Sequence, residues 1–558
     1  MILAHITLTG FRGISHLSLP LERGNVLIGE NAWGKSSLLD ALTLLLSPEE
    51  PHYQFSEQDF YYPPGEQEER QQQLSVQFTF QESETGEALR ATQLAIFSPV
   101  WQDGNDNLRH LIYRVEAELK PDRSVVTRRQ FVTGQAENLS EAEVNALVAQ
   151  LIRFHPVLRL RDARFTRRLR QSAADSTSGE SLGSLAGQID TLTRNLVSRP
   201  ESLTDEAIKQ GLLTLQQLLE HYFALQPATD SLPRGRMTPQ QRHTRQGWRA
   251  LDSLKHVVAE ADNRSRQLIL LRMFSLLVQA KGAYQLDPLA RPLLLIEDPE
   301  TRLHPIMLAV AWGLLALLPL QKITTTNSGD LLSQVPVEAV CRLVREDRKV
   351  VAWRLGPSGM NAEESRRIAF HIRFNRPSSL FARCWLLVEG ETEVWVMNEL
   401  AQQCGFHFAA EGIKVIEFAQ SGLRPLLKFA QRMGIAWHVL TDGDPAGKKY
   451  AATARSQLHE HRQHEHHHLT ELPALDMEHF LYKQGFSEVY HRSAHLPANV
   501  PMSVRRIISK AIQHSSKPDL AIAVATEAAE RGVASVPPVL REMFATVQWL
   551  ARGKGDEF

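Results

Sequence analysis

Gly29-Glu30-Asn31-Ala32-Trp33-Gly34-Lys35-Ser36 fits the pattern G-x4-G-K-[ST], and its neighbours supply the context that the pattern needs. Residues 25–29 read as a short apolar strand, and Ser36 opens a helical run, SSLLDALTLLL. The glycines let backbone N–H groups converge on phosphate oxygens, and the helix N-terminus adds its partial positive charge. Lys35 is expected to reach the β- and γ-phosphates of ATP and Ser36 to ligate Mg²⁺, with Gly29, Asn31, Gly34 and Ser37 completing the nucleotide contacts. A strand–loop–helix of this kind sets an α/β fold for the first part of the chain.

About 260 residues downstream, Leu293-Leu294-Leu295-Ile296 is an apolar strand that ends in Glu297-Asp298. Acids at a strand end suit a nucleotide-bound metal: Glu297 is expected to hold Mg²⁺ directly or through water, and Asp298 to orient or deprotonate the attacking water. A further strand at 321–326 leads into Asn327. Residues 2–8 before the phosphate loop and 74–80, 111–119 and 125–132 after it read as strands, and from about 140 to 280 the pattern turns helical. With Phe11-Arg12-Gly13 near the start and Pro299-Glu300-Thr301-Arg302-Leu303-His304-Pro305 after the acids, this part resembles the ATP-binding-cassette ATPases of the RecF, SMC and OLD branch. The resemblance implies two ATPs sandwiched between two heads, hence a homodimer. Three departures point to nucleotide binding with slow hydrolysis. The stretch Asp262–Gln267 lacks the glycine of the branch's signature, Asn327 stands where a histidine is usual, and Asp298 is one methylene shorter than the usual glutamate.

A second set of acids lies beyond residue 380. Cys384-Trp385-Leu386-Leu387-Val388 is an apolar strand running into Glu389-Gly390-Glu391-Thr392-Glu393, and some fifty residues later another strand ends in Thr441-Asp442-Gly443-Asp444. If the two strands are neighbours in a parallel sheet, Glu389, Glu393, Asp442 and Asp444 meet at its C-terminal edge, where α/β sheets bind ligands. Four carboxylates that close repel one another unless cations neutralise them, and Mg²⁺ or Mn²⁺ takes oxygen ligands in this manner. An isolated Glu here would be read as an ordinary solvated acid; the joint pattern resembles the Toprim domain of topoisomerases, primases and OLD-family nucleases. That resemblance adds Glu478 to the metal ligands, with Asp476 as the alternative, and Lys517 as the lysine on the scissile phosphate, with Lys510 as the alternative. The implied chemistry is two-metal phosphodiester hydrolysis.

An ABC-type head followed by a Toprim domain is the order of the OLD (overcoming lysogenisation defect) family, and the likeness is greatest to its YbjD-like members. The expected division is a head at 1–139 and 261–375, a helical, dimerising insertion at 140–260, and a Toprim nuclease domain at 376–558. The function so implied is an ATP-binding, metal-dependent DNA endonuclease or nickase in DNA processing or phage defence. The alternative is a RecF- or SMC-like, ATP-controlled DNA-binding protein with a vestigial Toprim site, and a topoisomerase-like reading would need a covalent tyrosine.

Composition is compatible with this. A chain of 558 residues with 43% hydrophobic and 22% charged residues has enough apolar residue for several cores. A net charge of −1 confines DNA binding to local patches. Residues 153–170 hold seven arginines against one acid, and Arg366, Arg367, Arg373, Arg376 and Arg383 form a second group. Three cysteines without a CxxC pair exclude a zinc ribbon or disulfide framework and suit a reducing cytoplasm. No secretory signal pattern opens the chain, and the apolar run 305–320 is too short for a membrane span. The six histidines of 459–468 read as a solvated loop.

Overall fold

In the computed structural model the chain is described over residues 1–48, 52–63, 71–104, 106–132, 139–160, 203–211, 290–302, 305–317, 320–346, 349–356, 360–458 and 464–553. It divides into two units, Met1–Leu331 with Ala339–Ala352 and Leu332–Glu338 with Trp353–Phe558.

The first unit holds two sheets. β1 (Ile2–Phe11) and β2 (Ile14–Pro20) form an antiparallel hairpin across Arg12-Gly13. The sequence reading assigned no strand at 14–20. The inward residues of β2, Ile14, Leu17 and Leu19, break strict alternation at the first step, which hides the two-residue period. After β3 (Gly24–Ile28) come β4 (Gln73–Gln81), β5 (Trp101–Asp103), β6 (Arg109–Leu119) and β7 (Val125–Phe131). The first sheet runs β2-β1-β4-β6-β5, with β7 also on β6. β8 (Val157–Leu160), β9 (Leu293–Glu297), β10 (Gln321–Thr325), β11 (Val340–Glu346) and β12 (Lys349–Arg354) join β3 in a second sheet of order β12-β11-β3-β10-β9-β8. There β11, β3, β10, β9 and β8 are parallel neighbours, so β10 separates the strand of the phosphate loop from the acidic strand.

The helix Glu141–Phe154 opens with a capping box from Ser140 and Glu143 and seats Val144, Leu147, Val148 and Leu151 in the core of this unit. Residues 141–160, expected at the start of the helical insertion, thus supply a core helix and a sheet strand. The rest of that insertion, apart from 203–211, lies outside the described residues, as do Asp262–Gln267, His304 and most of the first arginine patch. The apolar run forms the helix Pro305–Leu317, with Leu308, Ala311 and Leu315 buried. Among the described residues no helix is long and apolar enough to cross a membrane.

The second unit is built on β13 (Cys384–Val388), β14 (Ile413–Glu417), β15 (Ala436–Thr441) and β16 (Leu469–Glu471), all parallel, in the order β14-β13-β15-β16. β13 is buried along its whole length, as a central parallel strand requires, and its Trp385 and the Trp437 in register with it on β15 are both fully buried. The helix Pro538–Ala551 lays Leu540, Phe544 and Val547 into the same core. The histidine segment differs from the expected solvated loop: Glu465–His468 is a short helix, His468 is buried with its Nδ1 on the Trp437 carbonyl, and His467 packs on Trp549. Residues 459–463 lie outside the described residues.

Candidate active site

β13 and β15 are parallel neighbours with Leu387 opposite Val439, so Glu389 and Asp442 leave the sheet side by side at its C-terminal edge. The helix Glu391–Gln403 starts directly after Glu389 with Gly390 as its N-cap. Glu393 folds back over that cap, its Oε2 2.8 Å from the point a β-carbon at residue 390 would occupy. The glycine of the Glu-Gly-x-x-Glu pattern is therefore the space that Glu393 fills. Asp444 caps the helix Pro445–Arg455, its Oδ1 accepting the Gly447 N–H at 2.6 Å. A β-carbon at Gly447 would run into the Asp442 carbonyl, so this tight turn needs glycine.

Two further acids come from the segment after β16. Asp476 caps the helix Met477–Leu481 and its Oδ1 is shared between the His479 N–H and the His479 ring. Glu478 is buried and pairs with Lys517 at 2.8 Å. Lys517 opens the helix Lys517–Arg531 behind a capping box from Ser516 and Asp519.

These groups share one electrostatic environment. Burial pushes the Asp442 carboxyl up to about 8, helped by the charges of Glu389, Glu393, Asp476 and Glu478. Burial also raises Glu389, with Asp444 and Glu393 adding to it and Lys517 opposing. Glu393 is raised by burial and by Glu478. Burial works against the Lys517 charge, but the hydrogen bond to Glu478 and the carboxylates Glu393 and Asp476 outweigh it and raise the ammonium. Glu389 Oε2 is sealed from water and accepts no hydrogen bond. A buried, unpartnered carboxylate oxygen among like charges fits a hard divalent cation with oxygen ligands. Among the described residues no three acid, histidine or cysteine side chains already converge as a coordination set.

In the first unit the phosphate-loop lysine is buried. Lys35 Nζ donates to the Gly29 carbonyl and to Asn327 Oδ1, each at 2.6 Å, and burial lowers its pKa against the pull of Asp298 and Glu300. Gly34 caps the helix Lys35–Leu45 at φ 91°, a left-handed conformation that favours glycine. Ser36 is exposed at the loop, and Ser37 Oγ accepts the Gly13 N–H at 3.3 Å. Asp298, at φ 38°, accepts the Thr325 hydroxyl at 2.9 Å. Asn327 Nδ2 lies 3.5 Å from Asn31 Oδ1.

Three residues here, Glu300, Arg159 and Arg12, had no place among the nucleotide-site residues of the sequence reading. Glu300 accepts the Asn327 N–H (2.6 Å) and the Thr326 hydroxyl (2.9 Å), which fixes the end of β10. Arg159 bridges Asp40 (2.6 Å) and Glu297 (2.8 Å), and Arg12 bridges the same Asp40 (2.6 Å) to Asp59 (2.9 Å). Arg159 was part of the first candidate DNA patch. Only 6% of its side chain is exposed and its guanidinium is taken up by Asp40, Glu297 and the Thr43 hydroxyl, so it is not placed to meet phosphate. An acid two positions beyond Asp298 was a usable signal for Glu300; nothing local marks Arg159.

Residues 1–379 match the family described as "Protein of unknown function (DUF2813)". The chain is also 58% identical, over all of both chains, to the Escherichia coli (strain K12) protein described as "Uncharacterized protein YbjD". This chain belongs to the DUF2813 family. Its residues 380–444 match the overcoming lysogenization defect protein-like TOPRIM domain, so the family member carries a Toprim domain of the OLD type around Glu389, Glu393, Asp442 and Asp444. Among solved structures it is similar to the C-terminal region of the Burkholderia pseudomallei OLD protein, at 17% identity over 31% of this chain and 99% of that one, TM-score 0.26. It is also similar to the SMC head domain from Thermotoga maritima, at 12% identity over 64% of this chain and all of that one, TM-score 0.29.

Proposed function

We propose that this DUF2813 member is an ATP-binding, divalent-metal-dependent DNA endonuclease or nickase that works as a homodimer in DNA processing or phage defence. The observation that carries the reading is the acid cluster. Glu389, Glu393, Asp442, Asp444 and Glu478 lie at one sheet edge around a sealed Glu389 oxygen with no partner, and burial and the neighbouring charges raise Glu389, Glu393 and Asp442. An arrangement that costs stability when empty is characteristic of a site made for charge. The OLD-type Toprim match over the same acids supports it.

These five carboxylates are the residues that would hold Mg²⁺ or Mn²⁺. Divalent ions bound there lower the pKa of a water and stabilise charge on the leaving oxygen. Lys517, kept charged by Glu478, supplies a cation for the scissile phosphate. A covalent tyrosine is disfavoured: Tyr490 is buried, and burial together with Glu478 and Asp476 pushes its phenol up, away from an activated nucleophile. In the first unit Lys35 and the loop Gly29–Gly34 would cradle ATP phosphates. Asn327 would stand beside the γ-phosphate as a neutral donor, which supports binding with slow turnover.

The test is supercoiled plasmid incubated with purified protein and Mg²⁺ or Mn²⁺, with and without ATP, beside Glu393→Ala and Lys35→Ala. Nicked circles with wild type and none with Glu393→Ala are expected. No cleavage under either metal contradicts the reading and favours an ATP-controlled DNA-binding protein, and a protein–DNA adduct trapped by denaturant favours strand passage.

A further inference from the structure

We infer that the exposed face of the segment 366–374 is a stacking platform for an unpaired DNA strand leading to the acid cluster. The α-helix Ala362–Ile368 runs on as a π-helical turn, Ala369–Phe374, a widening that often marks functional positions. Ile368 and Ile372 point inward and are fully buried, while Phe370 and Phe374 stay 56% and 60% exposed on the other side. The edge of His371 meets the Phe370 ring at 5.0 Å, and the Arg373 guanidinium lies over Phe374 at 5.0 Å. Both rings are thus oriented by a neighbouring cationic or ionisable group and still present surface to solvent.

The surrounding charge is positive. The segment's two acids are each neutralised, Glu363 by Arg367 at 2.6 Å and Glu364 by Lys428 at 2.7 Å. Arg366 and Arg367 are exposed beside the rings. The segment also borders the acid cluster. Arg376 pairs with Glu417, the last residue of β14, which stands in register with Val388 immediately before Glu389. The Ala419 N–H donates to the Glu389 carbonyl at 3.1 Å.

Two rings four residues apart, flanked by arginines, match how single strands are held: bases stack on aromatic faces and phosphates meet the cations. Bases in a duplex are already stacked and paired, so the rings gain little from it. The choice of DNA rests on the nuclease reading, whereas the binding does not depend on cleavage. Duplex phosphates would still meet Arg366 and Arg367, which makes the two aromatic side chains the discriminating part.

The experiment is fluorescence anisotropy of the full chain with labelled oligo(dT) and a duplex of equal length, in EDTA so that nothing is cut. Phe370→Ala/Phe374→Ala is expected to weaken oligo(dT) binding by about tenfold or more, with duplex binding unchanged. Phe370→Trp/Phe374→Trp keeps it. Unchanged thermal unfolding of both variants establishes that the fold is intact. The inference is overturned if wild type does not bind oligo(dT), if the double alanine variant binds it equally well, or if duplex binding falls in parallel. Plasmid nicking by a variant that no longer binds oligo(dT) would leave the nuclease reading standing while the platform fails. Retained stacking with no nicking under any metal would do the reverse.

Discussion

His438 sits in the middle of β15 with no exposed surface, its Nδ1 on the His467 carbonyl at 2.7 Å and its Nε2 on the Thr470 hydroxyl at 2.8 Å. The carbonyl accepts a hydrogen bond from the Nδ1–H and the hydroxyl can donate one to Nε2, a pairing that suits the neutral imidazole. Burial pushes its pKa down to about 4, and the neighbouring His468 and His467 add to that against the His467 carbonyl. A depressed folded-state pKa means stability that is present above the unfolded value and lost as pH falls through the folded one. Between pH 7 and 4 wild type should lose about 3 kcal/mol more in denaturant unfolding than His438→Gln. Equal losses would contradict this assignment. At this scale the sequence revealed the acids of the cluster, because each stands where an apolar strand stops. Their fixing partners were hidden: Asp442 is raised by four acids from two other segments, 389–393 and 476–478, and no local pattern records that meeting.

At the scale of elements, β13, β15 and β9 were legible because buried parallel strands are short, continuous apolar runs bounded by polar turns. β2 was not, since its inward positions slip by one residue after Ile14. β8 was absorbed into a helical stretch because its four residues carry no period of their own. That strand matters, for it carries Arg159, which ties the phosphate-loop helix through Asp40 to the acidic strand through Glu297. Arg159→Ala removes the cation between Glu297 and Asp40 and leaves Asp40 with Arg12. It should destabilise the chain by about 2 kcal/mol in chemical denaturation, with Arg159→Lys recovering part. An unchanged denaturation midpoint in Arg159→Ala would show that these acids are solvated without it. The bridge also occupies Glu297, so a nucleotide-bound Mg²⁺ has to share that carboxylate with Arg159 or release it.

At the scale of the whole molecule, a net charge of −1 conceals a division of labour. In the first unit Arg12 and Arg159 neutralise Asp40, Asp59 and Glu297, whereas the second concentrates five carboxylates and one lysine at a single sheet edge. The order of the two units was readable from two motifs. The helical insertion and its expected role in dimerisation rest on sequence alone. The account turns on whether the acid edge takes divalent ions, since the carboxylates are near one another but not yet converged. Titration calorimetry of the metal-stripped full chain with Mn²⁺ measures that directly. Saturable binding by wild type that is abolished in Asp442→Asn and in Glu389→Gln, with Lys35→Ala binding as wild type at this site, is the result predicted. Mn²⁺ binding that survives both carboxylate substitutions, or none in wild type, would contradict it.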